Sequence, residues 1–83
     1  MKKVERKEGR SVIFEYDNVE FMFIIIGDYC ECYANSYLQF GFVLGQKTKW
    51  NPEGKRETDD EIIEMLINNY EVGNLFFEYE RVR

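Results

Sequence analysis

The sequence predicts an α+β domain: a mainly antiparallel sheet of about five strands, in the order β-β-β-β-α-β, with one helix packed on one face. The run 19–26 is apolar at nearly every position, which predicts a central strand covered on both faces. Two-residue turn signals, Asp17-Asn18 and Gly27-Asp28, stand on either side of it. A capping box, from Thr58 to Glu61, opens the amphipathic helical segment.

Length and composition indicate one small domain, which we expect to span residues 11–83 after a basic N-terminal arm at residues 1–10. A chain of 83 residues buries only about 60–65% of its unfolded surface. Aromatic residues, 17% of the chain, compensate because each buries roughly 150–250 Å². The arm carries five basic and two acidic residues, whereas residues 53–83 carry four basic and nine acidic, and the net charge is −5. This balance disfavours a general nucleic-acid binder and suits a basic partner surface.

The first three strands follow from their apolar patterns and from the turns between them. They are predicted at residues 11–16, 19–26 and 29–34. Turn length fixes the register, so Phe14 should oppose Phe21 and Phe23 should oppose Cys32. One face then contains no charged group and collects Val12, Phe14, Tyr16, Val19, Phe21, Phe23, Ile25, Cys30, Cys32 and Ala34. The other face is amphipathic and collects Ile13, Glu15, Glu20, Met22, Ile24, Ile26, Tyr29, Glu31 and Tyr33.

A fourth strand is predicted from Tyr37, after the turn signal Asn35-Ser36. Its apolar residues of one parity are Leu38, Phe40, Phe42 and Leu44. A three-residue loop would turn this set to the apolar face, and a two-residue loop would turn it to the amphipathic face. We favour the three-residue loop, because four large apolar groups should not join an exposed face. Gly41 and Gly45 indicate a bend or bulge in this strand.

The helix should begin at the Thr58 capping box, run to about Glu71 and stop near Gly73. Its apolar side collects Ile62, Ile63, Met65, Leu66, Ile67 and Tyr70. Its opposite side contains no basic residue and collects Asp60, Glu61, Glu64, Asn68 and Glu71. We expect the apolar side to cover the sheet face that carries Phe21 and Phe23, because one helix can cover only one face of this sheet.

A fifth strand is predicted over residues 75–82, with Leu75, Phe77 and Tyr79 on one side. It either lies parallel to the fourth strand after a right-handed crossover or pairs antiparallel with the first strand. We favour the second arrangement, which gives the strand order 4-3-2-1-5.

Cys30 and Cys32 are the only cysteines, and the chain has no histidine. A structural zinc site needs more ligands than these thiols provide, so we expect no metal and no cofactor. We interpret both cysteines as small core residues. We expect no signal peptide, because the first residues are charged and no apolar segment follows them at once, and the central apolar run is too short to cross a bilayer. These features predict a cytoplasmic protein that does not enter a membrane.

No catalytic motif is recognisable in the sequence. It contains no phosphate-binding loop, no dinucleotide-binding fingerprint, no zinc-protease motif and no nucleophile paired with histidine. With sixteen acidic residues, some carboxylates will lie close together by chance, and no single pair stands out. A small domain with one helix also offers little room for a cleft. We therefore expect no enzymatic activity.

The main loop, residues 46–57, contains the only tryptophan and the only proline of the chain. Its basic residues are Lys47, Lys49, Lys55 and Arg56. A stacking aromatic among basic groups suits single-stranded nucleic acid, and it suits equally an anchor for a protein partner. In a third interpretation, Trp50 folds back to cap the sheet edge and the lysines are solvated.

Acidic residues are concentrated at the helix, with five between Glu57 and Glu64. With Trp50, the predicted partner-binding residues there are Glu57, Asp60, Glu61, Glu64 and Glu71. Such a row imitates the spacing of phosphates, which favours a small acidic inhibitor or adaptor that binds a basic surface of a protein partner, for example a nucleic-acid-handling enzyme. The competing interpretations are a solvated helix face and a nucleic-acid-binding module that uses the basic arm and the Trp50 loop.

The amphipathic sheet face is predicted to be uncovered, because one helix covers the other face and no further segment is long enough. It presents Met22, Ile24, Ile26, Tyr29 and Tyr33. Tyrosine and methionine ringed by glutamates are typical of an interface, so we predict that this face is buried in a homodimer or against the partner. The competing prediction is that the fourth strand curls, or the N-terminal arm folds over, and covers the face within one chain.

Overall fold

The computed structural model describes residues 9–75 and 77, and it confirms an α+β architecture with an antiparallel sheet. In this described part, four strands lie side by side in sequence order and one helix follows them. The elements are β1 (Arg10–Tyr16), β2 (Val19–Ile26), β3 (Tyr29–Ala34), β4 (Tyr37–Val43) and α1 (Asp59–Glu71). Most of the predicted arm, residues 1–8, lies outside the described residues.

The two hairpins around β2 have the predicted register. Asp17-Asn18 has φ values of 57° and 63°, as the central residues of a type I′ turn require. Gly27 has a φ of 62°, as the first central position of a type II′ turn requires. Phe23 therefore pairs with Cys32, as predicted. We call the sheet face that carries Phe23 the core face, and the face that carries Ile24 the outer face.

β4 enters the sheet through a tighter turn than predicted. Asn35-Ser36 forms a two-residue turn with φ values of 49° and 72°, and Ala34 pairs with Tyr37 across it. Positive φ at both positions matches the twist of the flanking strands, which is why the short turn is stable here. The predicted three-residue loop is wrong, and Leu38 lies on the outer face, 52% exposed.

A β-bulge then returns the following aromatic residues of β4 to the core face. The β3–β4 register shifts next to Cys32, and Gln39 is the extra residue on β4. Phe40 and Phe42 consequently pair with Cys32 and Cys30 and pack against the core. The predicted irregularity of this strand is confirmed, and these two phenylalanines lie on the predicted face.

Both ends of α1 are capped at the predicted positions. The Thr58 hydroxyl accepts a hydrogen bond from the Glu61 amide (3.2 Å), and the Glu61 carboxylate accepts one from the Thr58 amide (2.9 Å). At the other end, Gly73 has a φ of 80°, and the Asn74 amide donates to the Asn69 carbonyl across the last turn (2.9 Å). This combination is a Schellman motif, which ends the helix.

α1 packs its apolar side on the core face. Ile62 and Leu66 are fully buried in the same cluster as Phe21 and Phe23. The Tyr70 ring meets the Phe21 ring edge to face, with the centroids 5.8 Å apart. The prediction of one helix on one sheet face is therefore confirmed.

The chain after α1 returns to the core. Leu75 and Phe77 are buried in the cluster beneath α1, on the side of the predicted fifth strand that we expected to be apolar. Neither residue is in a strand, so the described part contains four strands and not the predicted five. The other residues of the predicted fifth strand, 76 and 78–82, lie outside the described residues, and so does the pairing that would give the order 4-3-2-1-5. No helix in the described part has the length and apolar character needed to cross a membrane.

Polar contacts tie α1 to β1 at both ends of the helix. Arg10 donates two hydrogen bonds to the Asp59 carboxylate, at 2.7 and 3.1 Å, and these bonds lower the pKa of Asp59. The Tyr16 hydroxyl donates to the Glu71 carboxylate, and this hydrogen bond raises the pKa of Tyr16. These contacts add to the apolar packing of Ile62 and Leu66, which holds α1 across the sheet.

Candidate functional site

A short turn at the tip of the main loop holds Trp50 away from the protein. Thr48 and Asn51 exchange two backbone hydrogen bonds of 3.1 Å. The Thr48 hydroxyl accepts two more, from the amides of Trp50 and Asn51, each at 3.1 Å. The backbone on both sides of the indole is thereby fixed.

Asn51 and Glu57 join the two ends of this loop. The Asn51 side-chain amide donates to the Lys55 carbonyl (2.8 Å) and to the Glu57 carboxylate (3.1 Å), and its oxygen accepts from the Lys55 amide (3.2 Å). The second Glu57 oxygen accepts from the Gly45 amide (2.9 Å). Glu57 therefore braces the loop with both oxygens, and its assignment to partner binding stays a prediction.

The basic residues of the loop contact different groups. Arg56 donates to the Asp28 carboxylate (2.8 Å) and to the Gly27 carbonyl (3.0 Å), which clamps the loop to the β2–β3 turn. Lys49 lies over the Trp50 ring, with its Nζ 5.2 Å from the ring centroid, within the range of a cation–π interaction. The loop is thus anchored at its base and carries one cation beside its indole.

Trp50 is 85% exposed. The interpretation in which it folds back to cap the sheet edge is therefore wrong, because a capping indole would be buried. A large aromatic side chain on a fixed backbone loses little conformational freedom on binding. Tryptophan in this position is typical of a binding hot spot.

A groove opens on each side of Trp50, and both grooves run along α1. The loop groove, about 450 Å³, is lined by residues that include Phe42, Thr48, Trp50, Lys55, Glu61 and Met65. The helix groove, about 800 Å³, is lined by Trp50, Glu61, Glu64, Met65, Asn68, Asn69 and Val72. Since Trp50, Glu61 and Met65 border both grooves, the two form one continuous surface, which we call the Trp50 surface.

The predicted acidic residues of α1 differ in how far they are engaged within the chain. Glu61 closes the helix cap, and Glu71 accepts the hydrogen bond from a tyrosine of β1. Asp60 and Glu64 are exposed, and neither accepts a hydrogen bond within the described part of the chain. Of these residues, Glu61 and Glu64 line the Trp50 surface, whereas Asp60 and Glu71 do not.

The outer face is less open than the sequence predicts. Ile24 is 4% exposed and Tyr33 is buried, while Met22 and Ile26 are half-buried. Tyr29 is the one predicted partner-binding residue of this face that is exposed. The prediction of an uncovered face is therefore wrong at the centre of the sheet.

Two tyrosines of β3 lie along the outer face instead of projecting from it. The Tyr29 hydroxyl fills the space that a Cβ would occupy at Gly41 of the neighbouring strand. The Tyr33 hydroxyl donates to the Glu31 carboxylate at 3.0 Å. An aromatic ring laid across a cross-strand glycine covers sheet surface that would otherwise be open. Homodimerisation through this face stays a prediction.

Cys30 and Cys32 are free thiols buried in the core, with their Sγ atoms 4.0 Å apart. The hydrogen bond between them and burial hold the pKa of the Cys32 thiol above its usual range, so that this thiol is neutral at neutral pH. Within residues 9–75 and 77, no group of three histidine, cysteine or carboxylate side chains is placed to hold a metal ion. Both cysteines occupy the core positions that the sequence predicts.

The structure brings Trp50 together with two of the predicted acidic residues of α1, Glu61 and Glu64, on one surface. Met65 joins them, although its spacing in the helix predicts only a core position. Thr48 and Asn51 hold the backbone around Trp50 in position, a role that was not predicted from the sequence. Their signal was available, because threonine and asparagine at this spacing favour a side-chain-closed turn.

No family model matches this chain, and comparisons with curated proteins and with solved structures found no significant similarity. These comparisons therefore assign no role to the sheet, to its helix or to the Trp50 surface. Any function has to be inferred from the contacts, exposure and charge of the residues themselves.

Proposed function

We propose that this protein is a small acidic, non-catalytic interaction protein that binds a basic surface of a protein partner through the Trp50 surface. The observation that carries the proposal is Trp50 itself, 85% exposed on a hydrogen-bonded turn beside Glu61 and Glu64. An inhibitor or adaptor acts by occupying a surface of its partner, which requires an anchor of this kind and no catalytic group.

Preorganisation supports the proposal. The bonds that Thr48 and Asn51 make fix the loop before any partner arrives, so little entropy is lost when Trp50 is buried. Arg56 adds a second anchor at the base of the loop. A loop that served only to connect β4 with α1 would need neither an exposed indole nor this number of internal bonds.

The negative charge beside Trp50 favours a partner with a basic surface. The carboxylates of Glu61 and Glu64 border the groove beside Trp50, and α1 contains no lysine or arginine. Such a surface attracts a basic partner during diffusion and pairs with it on contact. A nucleic-acid-handling enzyme fits this description, since its substrate channel carries the basic residues that normally meet phosphates.

The alternative function, nucleic-acid binding through the basic arm and the Trp50 loop, is disfavoured by the same charges. Bases stacked on Trp50 would bring their phosphates close to Glu61 and Glu64. A titration of Trp50 fluorescence with single-stranded oligonucleotides at low salt tests this alternative. We expect no quenching, and quenching that disappears at high salt would favour the nucleic-acid function over the protein-binding function.

Site-specific photo-crosslinking tests the proposed function. A photo-reactive residue in place of Asn68, which is exposed in the helix groove, should capture a protein from native lysate. The adduct should be lost with Trp50→Ala and weakened at about 0.5 M salt, where exposed charges are screened. The same group in place of Glu53, an exposed residue outside both grooves, is the matched control. Absence of an adduct, or equal adducts at the two positions, would contradict the proposal.

A further inference from the structure

The helix groove combines apolar surface with charge of one sign. Trp50, Met65 and Val72 supply apolar surface, and Glu61 and Glu64 supply carboxylates. The described residues that line this groove include no lysine and no arginine. An occupant without positive charge would therefore leave both carboxylates without a counter-charge at the moment when binding removes water from them.

The indole of Trp50 already interacts with a cation of the same chain. The Lys49 Nζ lies 5.2 Å from the ring centroid, and the ring remains largely exposed. Cation–π attraction extends to about 6 Å and is strongest for tryptophan. A second cation can reach the ring from the helix groove, where the carboxylates of Glu61 and Glu64 would add to the attraction.

The two carboxylates are not equally available for such a cation. One oxygen of Glu61 accepts the hydrogen bond from the Thr58 amide, which leaves its other oxygen for a ligand. Glu64 is exposed and accepts no hydrogen bond within the described residues, so both of its oxygens are open. Glu64 can therefore meet a ligand with two parallel hydrogen bonds.

We propose that the helix groove binds an arginine-bearing segment of the protein partner, with the guanidinium stacked on Trp50 and paired with Glu64. This inference rests on the function proposed above and names the chemistry of the bound segment. A guanidinium is planar, stacks on aromatic rings and pairs with a carboxylate through two parallel bonds, whereas an ammonium is a compact and more strongly hydrated charge. Apolar neighbours of the arginine pack on Met65 and Val72.

Short capped peptides of alternating arginine and leucine test this inference with the full chain. Two matched peptides carry lysine or citrulline in place of arginine, and citrulline keeps the shape of arginine without its charge. Affinities are measured at low salt by calorimetry. We expect the lysine peptide to bind about tenfold more weakly than the arginine peptide, and the citrulline peptide to lose binding further. Equal affinity of the arginine and citrulline peptides would overturn the inference.

Variants of the protein separate a defined site from general attraction by an acidic chain. Glu64→Gln should weaken binding of the arginine peptide about fivefold or more, because a charge-assisted pair is lost without a change of shape. Glu53→Gln removes the same charge outside both grooves and should leave the affinity unchanged. Equal losses in the two variants would overturn the inference.

The inference and the proposed function can fail separately. If the photo-reactive residue at position 68 captures a protein but the arginine and lysine peptides bind equally, the partner-binding function stands and the arginine inference fails. If the arginine peptide binds through Glu64 but no protein is captured, the function fails although the groove recognises arginine. Quenching of Trp50 fluorescence by a single-stranded oligonucleotide, measured without any peptide present, would contradict both.

Discussion

The Trp50 surface and the outer face both combine apolar and acidic side chains, but the chain builds them in opposite ways. Around Trp50, hydrogen bonds from Thr48 and Asn51 order the backbone and leave the side chain in solvent. On the outer face, Tyr29 and Tyr33 lie along the sheet, and the centre of the face is closed. Apolar composition alone therefore does not separate an exposed surface from a buried one. The indole stays exposed because hydrogen bonds of its backbone, and not packing of its ring, hold it in place.

Ile24→Glu should have the largest effect on stability, because Ile24 is 4% exposed. The substitution buries a carboxylate without a counter-charge and sets it opposite Glu31, so we expect a loss of about 3 kcal/mol or more in the free energy of unfolding. Urea unfolding followed by circular dichroism measures this loss.

Ile13→Glu is the matched control, since Ile13 lies on the same face and is 59% exposed. It should change the free energy of unfolding by less than about 1 kcal/mol. If both variants remain folded with small and equal losses, the centre of the outer face is open, and the contrast with the Trp50 surface disappears.

Asn51→Ala should have an intermediate effect, because the Asn51 side chain bridges Lys55 and Glu57. Loss of these bonds should lower the free energy of unfolding by about 1–2 kcal/mol and make the loop more mobile. Fluorescence anisotropy of Trp50 should fall in step. Asp60→Ala, at an exposed position of α1 outside both grooves, is expected to leave the anisotropy unchanged. Unaltered anisotropy in Asn51→Ala would show that the loop does not depend on this network.

Acid stability should depend on the contact between Arg10 and Asp59. The hydrogen-bonded pair lowers the pKa of Asp59, so its stabilisation is complete above the unfolded-state pKa of about 3.9 and is lost as the pH falls through the lower folded-state pKa. Arg10→Gln should remove this loss and flatten the acid limb of the stability curve. The effect should be small, because the pair is exposed and screened by solvent. A parallel shift of the whole curve would contradict this assignment.

Sequence alone could predict the first three strands, because Asp17-Asn18 and Gly27-Asp28 each admit one tight turn and each turn fixes a register. It could not decide how β4 begins. A longer loop, or a tight turn followed by a bulge, sends Phe40 to the core face equally well. The two place Tyr37 and Leu38 on opposite faces, and the apolar side chain of Leu38 favoured the wrong arrangement.

Part of the composition of the candidate site could also be predicted from the sequence, since its tryptophan and its acidic residues stand out in the chain. The proximity of these residues could not be predicted, because it depends on how the main loop packs beside α1 after β4 ends. The exposure of Trp50 could not be predicted either, because an apolar residue in a loop can pack against the protein as easily as it can project into solvent. The hydrogen bonds of Thr48 decide between these outcomes. The spacing of Thr48 and Asn51 signals a turn of this kind, but it does not show on which side of the turn the indole lies.

Trp50→Ala should have the smallest effect on stability, although it removes the largest side chain of the protein. The indole is 85% exposed, so its removal leaves no cavity and forfeits mainly the contact with Lys49. At an exposed site that contact is worth at most about 1 kcal/mol, which bounds the expected loss in the free energy of unfolding. Urea unfolding of Trp50→Ala beside Ile24→Glu gives the comparison directly. If Trp50→Ala unfolds the chain as Ile24→Glu does, the indole belongs to the core. If it lowers stability by less than this bound yet abolishes crosslinking at position 68, the side chain serves binding and not folding.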